Sequence, residues 1–144
     1  SRGMSLFEGL QEIFQKYGYF IEGITSFTLH GKEGLEKISS AMETLRSNKS
    51  EVFGACAVAA LRDYGNRQTI RFPQRTIEAL ELPESNVLYY ELTDGSWFCV
   101  RPSGTEPKIK IYYGVSEVSL EAAQGKLAKV EQSAVGEIRK LLEI

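Results

Sequence analysis

The chain has 144 residues, of which 42% are hydrophobic and 25% are charged, so it has the size of one globular domain with a buried core. Its net charge of −2 argues against a general nucleic-acid binder, which usually presents a basic face. No apolar run approaches the ~20 residues of a membrane span and no signal-peptide pattern is present, so we expect a cytoplasmic protein. Cys56 and Cys99 lack CxxC spacing and are predicted to be reduced, buried thiols rather than a disulfide or metal pair.

The first predicted element is an amphipathic helix over residues 5–17. Ser5 and Glu8 are spaced as a capping box, and Gly18 ends the helix. The apolar residues that recur at helical spacing are Leu6, Leu10, Ile13, Phe14 and Tyr17. We expect their apolar face to fold back on the rest of the chain or to mediate self-association.

The middle of the chain predicts a strand, a helix and a further strand. Residues 25–29 alternate as a strand, and residues 35–46 follow as an amphipathic helix. Small residues predict a strand over residues 55–64. Residues 65–85 are polar and irregular, which predicts a loop with at most a short turn of helix near residues 77–80.

The clearest strand pattern lies in the last third. Residues 86–92 and 96–101 flank an Asp-Gly turn, a strong hairpin signal, and residues 108–113 alternate as a further strand. Apolar residues then recur at a spacing of three to four over a long helix, residues 120–141, which we expect to cover a sheet. The predicted order, β-α-β-β-β-β-α after the first helix, indicates an α+β two-layer sandwich with its helices on one face of the sheet.

The loop between the last two strands carries the chemistry of a phosphate site. A phosphate dianion requires converging N–H and O–H donors together with fixed positive charge. This loop offers a guanidinium fork, two hydroxyls, a glycine whose bare backbone an oxygen can approach closely, and two ammonium groups. An ordinary turn with solvated charges is the alternative. The candidate phosphate ligands are Arg101, Ser103, Gly104, Thr105, Lys108 and Lys110.

This loop and the residues around it resemble a known family. The run from Asp94 to Tyr113, DGSWFCVRPSGTEPKIKIYY, resembles the signature of the last domain of the α-D-phosphohexomutases, which include phosphoglucomutases, phosphomannomutases and phosphoglucosamine mutases. It is most similar to the bacterial-type phosphoglucomutase/phosphomannomutase. Further similar segments, which extend the resemblance over nearly the whole chain, are KYG at residues 16–18, GKEGLEK at 31–37, LRDY at 61–64 and LPESNVL at 82–88.

The resemblance implies a TATA-binding-protein-like fold and a C-terminal fragment of a larger enzyme. Residues 1–24 would be the terminal helix of the preceding domain plus a hinge, and residues 25–144 the C-terminal phosphate-binding domain. The family's phosphoserine, magnesium and sugar-recognition loops do not occur in this sequence. We therefore expect no catalytic or metal-binding residue here, and no activity from the fragment alone. Magnesium and a hexose 1,6-bisphosphate activator are implied only for the full-length enzyme.

In such an enzyme the last domain holds the phosphate that is not being transferred. Arg101, Ser103, Gly104 and Thr105 match the family's phosphate contacts. The position of the second basic contact, usually an arginine, is Lys110 here, and Lys108 is the alternative. The implied partners are a hexose phosphate and the missing N-terminal domains, with no nucleic acid and no membrane. The sugar remains open among glucose, mannose and glucosamine. The alternatives are a stand-alone sugar-phosphate-binding module and a scaffold or nucleic-acid-binding sheet.

Overall fold

A computed structural model describes residues 18–144. The elements in chain order are β1 (Tyr19–Thr28), α1 (Gly31–Asn48), β2 (Val52–Phe53), β3 (Cys56–Asp63), β4 (Gln68–Arg71), β5 (Thr76–Ala79), β6 (Leu88–Leu92), β7 (Trp97–Pro102), β8 (Lys108–Glu117) and α2 (Leu120–Leu142). Every strand pairing is antiparallel, and the strand order across the sheet is β1-β8-β7-β6-β3-β4-β5, with β2 paired to β3 beside that path.

Both helices and one face of the strands form a single buried cluster. Along β8, buried Ile109, Ile111 and Tyr113 alternate with more exposed neighbours, as expected for a strand with one face on a core. The helices contribute their apolar stripes, among them Ile38, Ala41, Met42 and Leu45 from α1 and Ala123, Val130, Ala134 and Ile138 from α2. The predicted α+β two-layer arrangement is confirmed. Neither helix in the described residues is long and apolar enough to span a bilayer.

The prediction for residues 65–85 is wrong. This segment forms strands β4 and β5, and Thr76–Ala79 is extended where a helical turn was predicted. All four residues of β5 are exposed, so no apolar alternation marks the strand in the sequence. The adjacent turns use left-handed arginines, Arg67 with φ 55° and Arg75 with φ 61°, where a glycine or asparagine is the usual signal. With β2, these strands account for the three missing from the predicted order β-α-β-β-β-β-α.

The first strand is longer than predicted. It begins at Tyr19 and pairs with β8 along its whole length, so residues 19–24, expected to be a hinge, form its first half. A Cβ atom at Gly23 would lie 2.5 Å from Cε2 of Tyr113, so a glycine lets the tyrosine ring pack against the strand. The predicted helix over residues 5–17 lies outside the described residues, and the domain boundary near residue 25 remains a prediction.

The turn between β6 and β7 confirms the hairpin predicted from Asp94 and Gly95. Gly95 adopts φ 88°, which favours glycine, and the Asp94 carboxylate accepts the Ser96 N–H at 2.9 Å. Burial raises the pKa of Asp94, but the hydrogen bonds from Ser96 and the positive charge of Lys126 outweigh it, so the pKa of this carboxyl is lowered.

A buried ion pair ties α1 to the turn that follows β3. Asp63 is only 1% exposed, and its Oδ1 accepts hydrogen bonds from Arg46 Nε at 3.0 Å and from the Gly65 and Asn66 N–H groups at 3.0 and 3.1 Å. Its Oδ2 accepts a further bond from Asn66 Nδ2 at 2.9 Å. Each oxygen of this buried carboxylate therefore has a partner.

We expect Asp63→Asn to lower the free energy of unfolding by about 3 kcal/mol, because the Arg46 guanidinium would lose its buried counter-charge. Urea denaturation of both proteins measures this difference. The matched control is Glu78→Gln, which breaks an exposed ion pair with Arg71 and should cost no more than about 1 kcal/mol. Equal small losses in the two variants would contradict the importance assigned to the buried pair.

Candidate functional site

The predicted phosphate loop, residues 103–107, joins β7 to β8 at one end of the sheet. Arg101 lies opposite Lys110 in the register of these two strands. Because Ile109 is fully buried on the helix side, Lys108 and Lys110 on either side of it point to the opposite, helix-free face. Arg101 precedes buried Pro102 and is exposed in the same way. Three cationic side chains thus share the open face of the sheet, as the alternation of residues predicts.

A cavity of about 380 Å³ lies where these side chains meet. It brings together four of the six predicted ligands, namely Arg101, Ser103, Lys108 and Lys110. Gly104 instead lines a neighbouring cavity of about 480 Å³ beside α1, and Thr105 lines neither of these two cavities. The complete lining of the first cavity is Arg101, Pro102, Ser103, Glu106, Lys108, Lys110 and Tyr112.

Backbone hydrogen bonds fix the base of the loop. The Ser103 N–H donates to the Lys108 carbonyl at 2.9 Å, and the Lys108 N–H donates to the Glu106 carbonyl at 2.7 Å. The Glu106 N–H donates to Ser103 Oγ at 3.4 Å. From outside the loop, the Leu29 N–H donates to the Pro107 carbonyl at 2.7 Å. The loop is therefore anchored both within itself and to the chain that enters α1.

Gly104 is required at the tip of the loop by its backbone conformation. Its φ of 88° lies in the region that side chains with a Cβ rarely adopt. No other atom would lie within 4 Å of a Cβ placed there, so the surrounding space is open. Backbone geometry, rather than crowding, selects glycine here, and the bare tip is accessible to a ligand.

The charges around the cavity are unusual for a sheet surface. Arg101 and Lys110 are directly opposite each other on neighbouring strands, and like charges in such a pair are destabilising. Within residues 18–144, no carboxylate oxygen lies within 4.0 Å of either cation. Lys108 does have an anionic neighbour, since its Nζ is 3.2 Å from Glu106 Oε2. The site thus carries positive charge that a bound anion would neutralise.

Tyr112, which lines the cavity, pairs in register with Cys99, which continues this face of the sheet beyond the cavity. Burial raises the pKa of the Cys99 thiol, although a hydrogen bond with the Tyr112 backbone and the charge of Arg101 oppose that effect. Cys99 is only half-buried, which corrects the prediction of a buried thiol, whereas Cys56 is buried as predicted. Both are free thiols.

The sequence interpretation did not include Tyr112 and Glu106 among the cavity residues. Another strand tyrosine, Tyr89 on β6, packs differently, since its ring stacks on Trp97 with centroids 5.6 Å apart. The alternation that exposes Lys108 and Lys110 also exposes position 112, and it is the signal that could have identified this tyrosine.

Three comparisons with known proteins bear on this chain. The family model described as the phosphoglucomutase/phosphomannomutase C-terminal domain matches residues 47–131. The phosphoglucomutase of Staphylococcus aureus strain MRSA252 is 37% identical over 110 residues, which are 76% of this chain and 20% of the relative. That of Staphylococcus haemolyticus is 32% identical over 121 residues, 84% of this chain and 22% of the relative. The chain thus spans about a fifth of the length of these relatives.

A solved structure shows the same fold. The open form of the exocytosis-sensitive phosphoprotein pp63/parafusin of Paramecium, a phosphoglucomutase, superposes with a TM-score of 0.52. The superposition covers 97% of this chain and 24% of that protein. At 13% sequence identity, this likeness concerns the fold alone.

We expect Lys110→Gln to stabilise the domain by a few tenths of a kcal/mol in phosphate-free buffer, because it removes the repulsion from Arg101. The same variant should gain less in melting temperature when inorganic phosphate is added. Thermal unfolding with and without phosphate measures both effects. Lys129→Gln, an equal charge change at an exposed position of α2, is the control and should respond to phosphate like the unmodified chain. A Lys110→Gln variant that is less stable and equally responsive would contradict this reading.

Proposed function

Because the chain belongs to the phosphoglucomutase/phosphomannomutase family as its C-terminal domain, we propose that it binds the non-transferred phosphate group of a hexose phosphate. The observation that carries this proposal is the opposed pair Arg101 and Lys110, exposed and without a carboxylate within 4.0 Å in the described residues. A phosphate dianion between them would add two attractions that outweigh the repulsion between the cations.

Each ligand has a distinct role in this proposal. The Arg101 guanidinium offers two parallel N–H donors to two phosphate oxygens, whereas the ammonium groups of Lys108 and Lys110 act as point charges. Ser103 Oγ already accepts the Glu106 N–H, which leaves its hydroxyl proton to donate to a phosphate oxygen. The bare tip at Gly104 lets a further oxygen approach the backbone.

The chemical contribution of such a site is positioning. Phosphoryl transfer depends on how well the attacking oxygen and the phosphoryl group are aligned, and good alignment can lower the barrier by several kcal/mol. A phosphate held at one end of a sugar fixes the distance from that end to the reacting end. In our proposal the chain holds the sugar in this way, and no group of the chain attacks or leaves.

The activity of the longer protein is part of this proposal. The relatives are named phosphoglucomutases, which favours glucose phosphate over mannose phosphate as the substrate and an isomerase reaction. A cytoplasmic location stays a prediction from the sequence. Within residues 18–144, no group of three or more His, Cys, Asp or Glu side chains is placed to hold a metal ion. In this proposal magnesium and the hexose 1,6-bisphosphate activator bind to the other domains of the full-length enzyme.

A stand-alone sugar-phosphate-binding module is the alternative. The two proposals differ in what precedes Ser1 in the native reading frame, which sequencing of the gene would reveal. They agree that this chain alone, tested with glucose 1-phosphate, magnesium and a hexose bisphosphate, shows no turnover. Reproducible conversion by the purified chain would contradict both.

In the full-length enzyme we expect Arg101→Ala to lower kcat/KM by about one to two powers of ten, because it removes one charge-assisted contact. The melting temperature should not fall, since Arg101 is exposed and its removal also relieves the repulsion with Lys110. Lys110→Arg should be tolerated, because an arginine keeps the charge and adds the fork.

The control is Arg71→Ala, which removes an exposed arginine from β4, away from β7 and β8 in the sheet. It should leave kcat/KM unchanged. An Arg101→Ala enzyme with full activity would overturn the phosphate assignment, whatever the behaviour of the control.

A further inference from the structure

Glu106 is the one acidic side chain that lines the cationic cavity. Its Oε2 lies 3.2 Å from Lys108 Nζ, and both side chains are substantially exposed, at 60% and 49%. A carboxylate within a phosphate site is unfavourable for a bound anion, because it repels the anion and occupies a cation that the anion would use.

The loop holds Glu106 and Lys108 together. The Lys108 N–H donates to the Glu106 carbonyl at 2.7 Å across Pro107, and the Glu106 N–H donates to Ser103 Oγ at 3.4 Å. The Pro107 carbonyl is in turn fixed by the Leu29 N–H at 2.7 Å. With the backbone constrained in this way, only side-chain rotation can separate the carboxylate from the ammonium group.

The carboxylate also sets the charge of the site. Arg101, Lys108 and Lys110 carry three positive charges, and Glu106 reduces the total to two. Two positive charges match a phosphate monoester dianion. Without the carboxylate, the site would hold an excess of positive charge over this ligand.

We propose that Glu106 is an internal competitor for phosphate, which holds Lys108 in the empty site and releases it when a phosphate dianion binds. This inference rests on the function proposed above. The competition weakens phosphate binding and speeds its release. An enzyme must release its phosphate ligand in every turnover, so fast release is useful, and tighter binding of the ground state does not accelerate the chemistry.

The test is a titration of the 144-residue chain with inorganic phosphate at low ionic strength, followed by NMR amide shifts of residues 101–110. We expect Glu106→Gln to tighten the Kd by about two- to fivefold, the range for loss of an exposed ion pair, and to slow dissociation as seen in the line shapes. In a Lys108→Gln background, the same substitution should change the Kd clearly less, because the lysine for which the carboxylate and phosphate compete is absent.

The matched control is Glu91→Gln, which removes a carboxylate paired with Arg62 at 3.0 Å on β6, outside the cavity. It makes the same change in net charge and should leave the Kd unchanged. Equal tightening by both variants, or by Glu106→Gln with and without Lys108, would reduce the effect to general repulsion and overturn the inference. Unchanged phosphate binding in Glu106→Gln would overturn the inference as well. Weaker binding would also overturn it, because it would show that the carboxylate positions Lys108 for the ligand.

The outcomes separate this inference from the function on which it rests. If phosphate shifts the amide signals of residues 101–110 with a Kd that Glu106→Gln does not change, the competition alone is overturned. Binding seen only after Glu106→Gln would support it strongly. If phosphate shifts the amide signals of residues 101–110 neither in the unmodified chain nor in Glu106→Gln, both the competition and the phosphate site are wrong.

Discussion

The burial of Ile109 and Ile111 against the helices is the constraint on which the candidate site depends. Side chains alternate along a strand, so fixing these two isoleucines inside forces Lys108, Lys110 and Tyr112 onto the other face. Pairing with β7 then sets Arg101 opposite Lys110. No separate interaction is needed to gather the cations, since the packing of the core gathers them. A shift of one residue in this register would turn the whole set inward.

The repulsion between the opposed cations lies on a strand that is well packed against the core. The opposed cations at the open face work against folding, while the supporting strand carries some of the most deeply buried residues of the described chain. The loop adds three internal hydrogen bonds and one from Leu29. Proteins commonly place strained or repulsive groups at binding sites, where the rest of the structure holds them in position. Here the support is the sheet itself, which fixes the backbone positions of Arg101, Lys108 and Lys110.

Much of this could be predicted from the sequence, because the signals were local. Period-two alternation in β6, β7 and β8, the Asp94-Gly95 turn and the long apolar stripe of α2 each depend on residues close in the chain. The resemblance in residues 94–113 then indicated the family. The β4–β5 hairpin could not be predicted, because its turns use left-handed arginines and β5 has no buried face.

The details of the site depended on contacts that composition does not encode. The loop directs Gly104 toward the cavity beside α1 and leaves Glu106 within reach of Lys108. The positions of Gly104 and Glu106 follow from the hydrogen bonds within residues 103–108, which no rule of sequence spacing specifies. The residue types indicated a phosphate site, whereas the direction of each side chain required coordinates.

The antiparallel pairings also differ in the length of chain that each must close. Strands β7 and β8 are joined by a short loop, whereas Thr28 pairs with Lys108, 80 positions later in the chain. The entropy lost on closing a loop grows with the length of the loop. The hairpin of β7 and β8 can therefore form from residues close in the chain, whereas pairing of β1 with β8 has a greater entropic cost. In kinetic terms, the hairpin of β7 and β8, which carries the proposed phosphate site, is a local folding unit, and the edge strand β1 pairs with it from a distance along the chain.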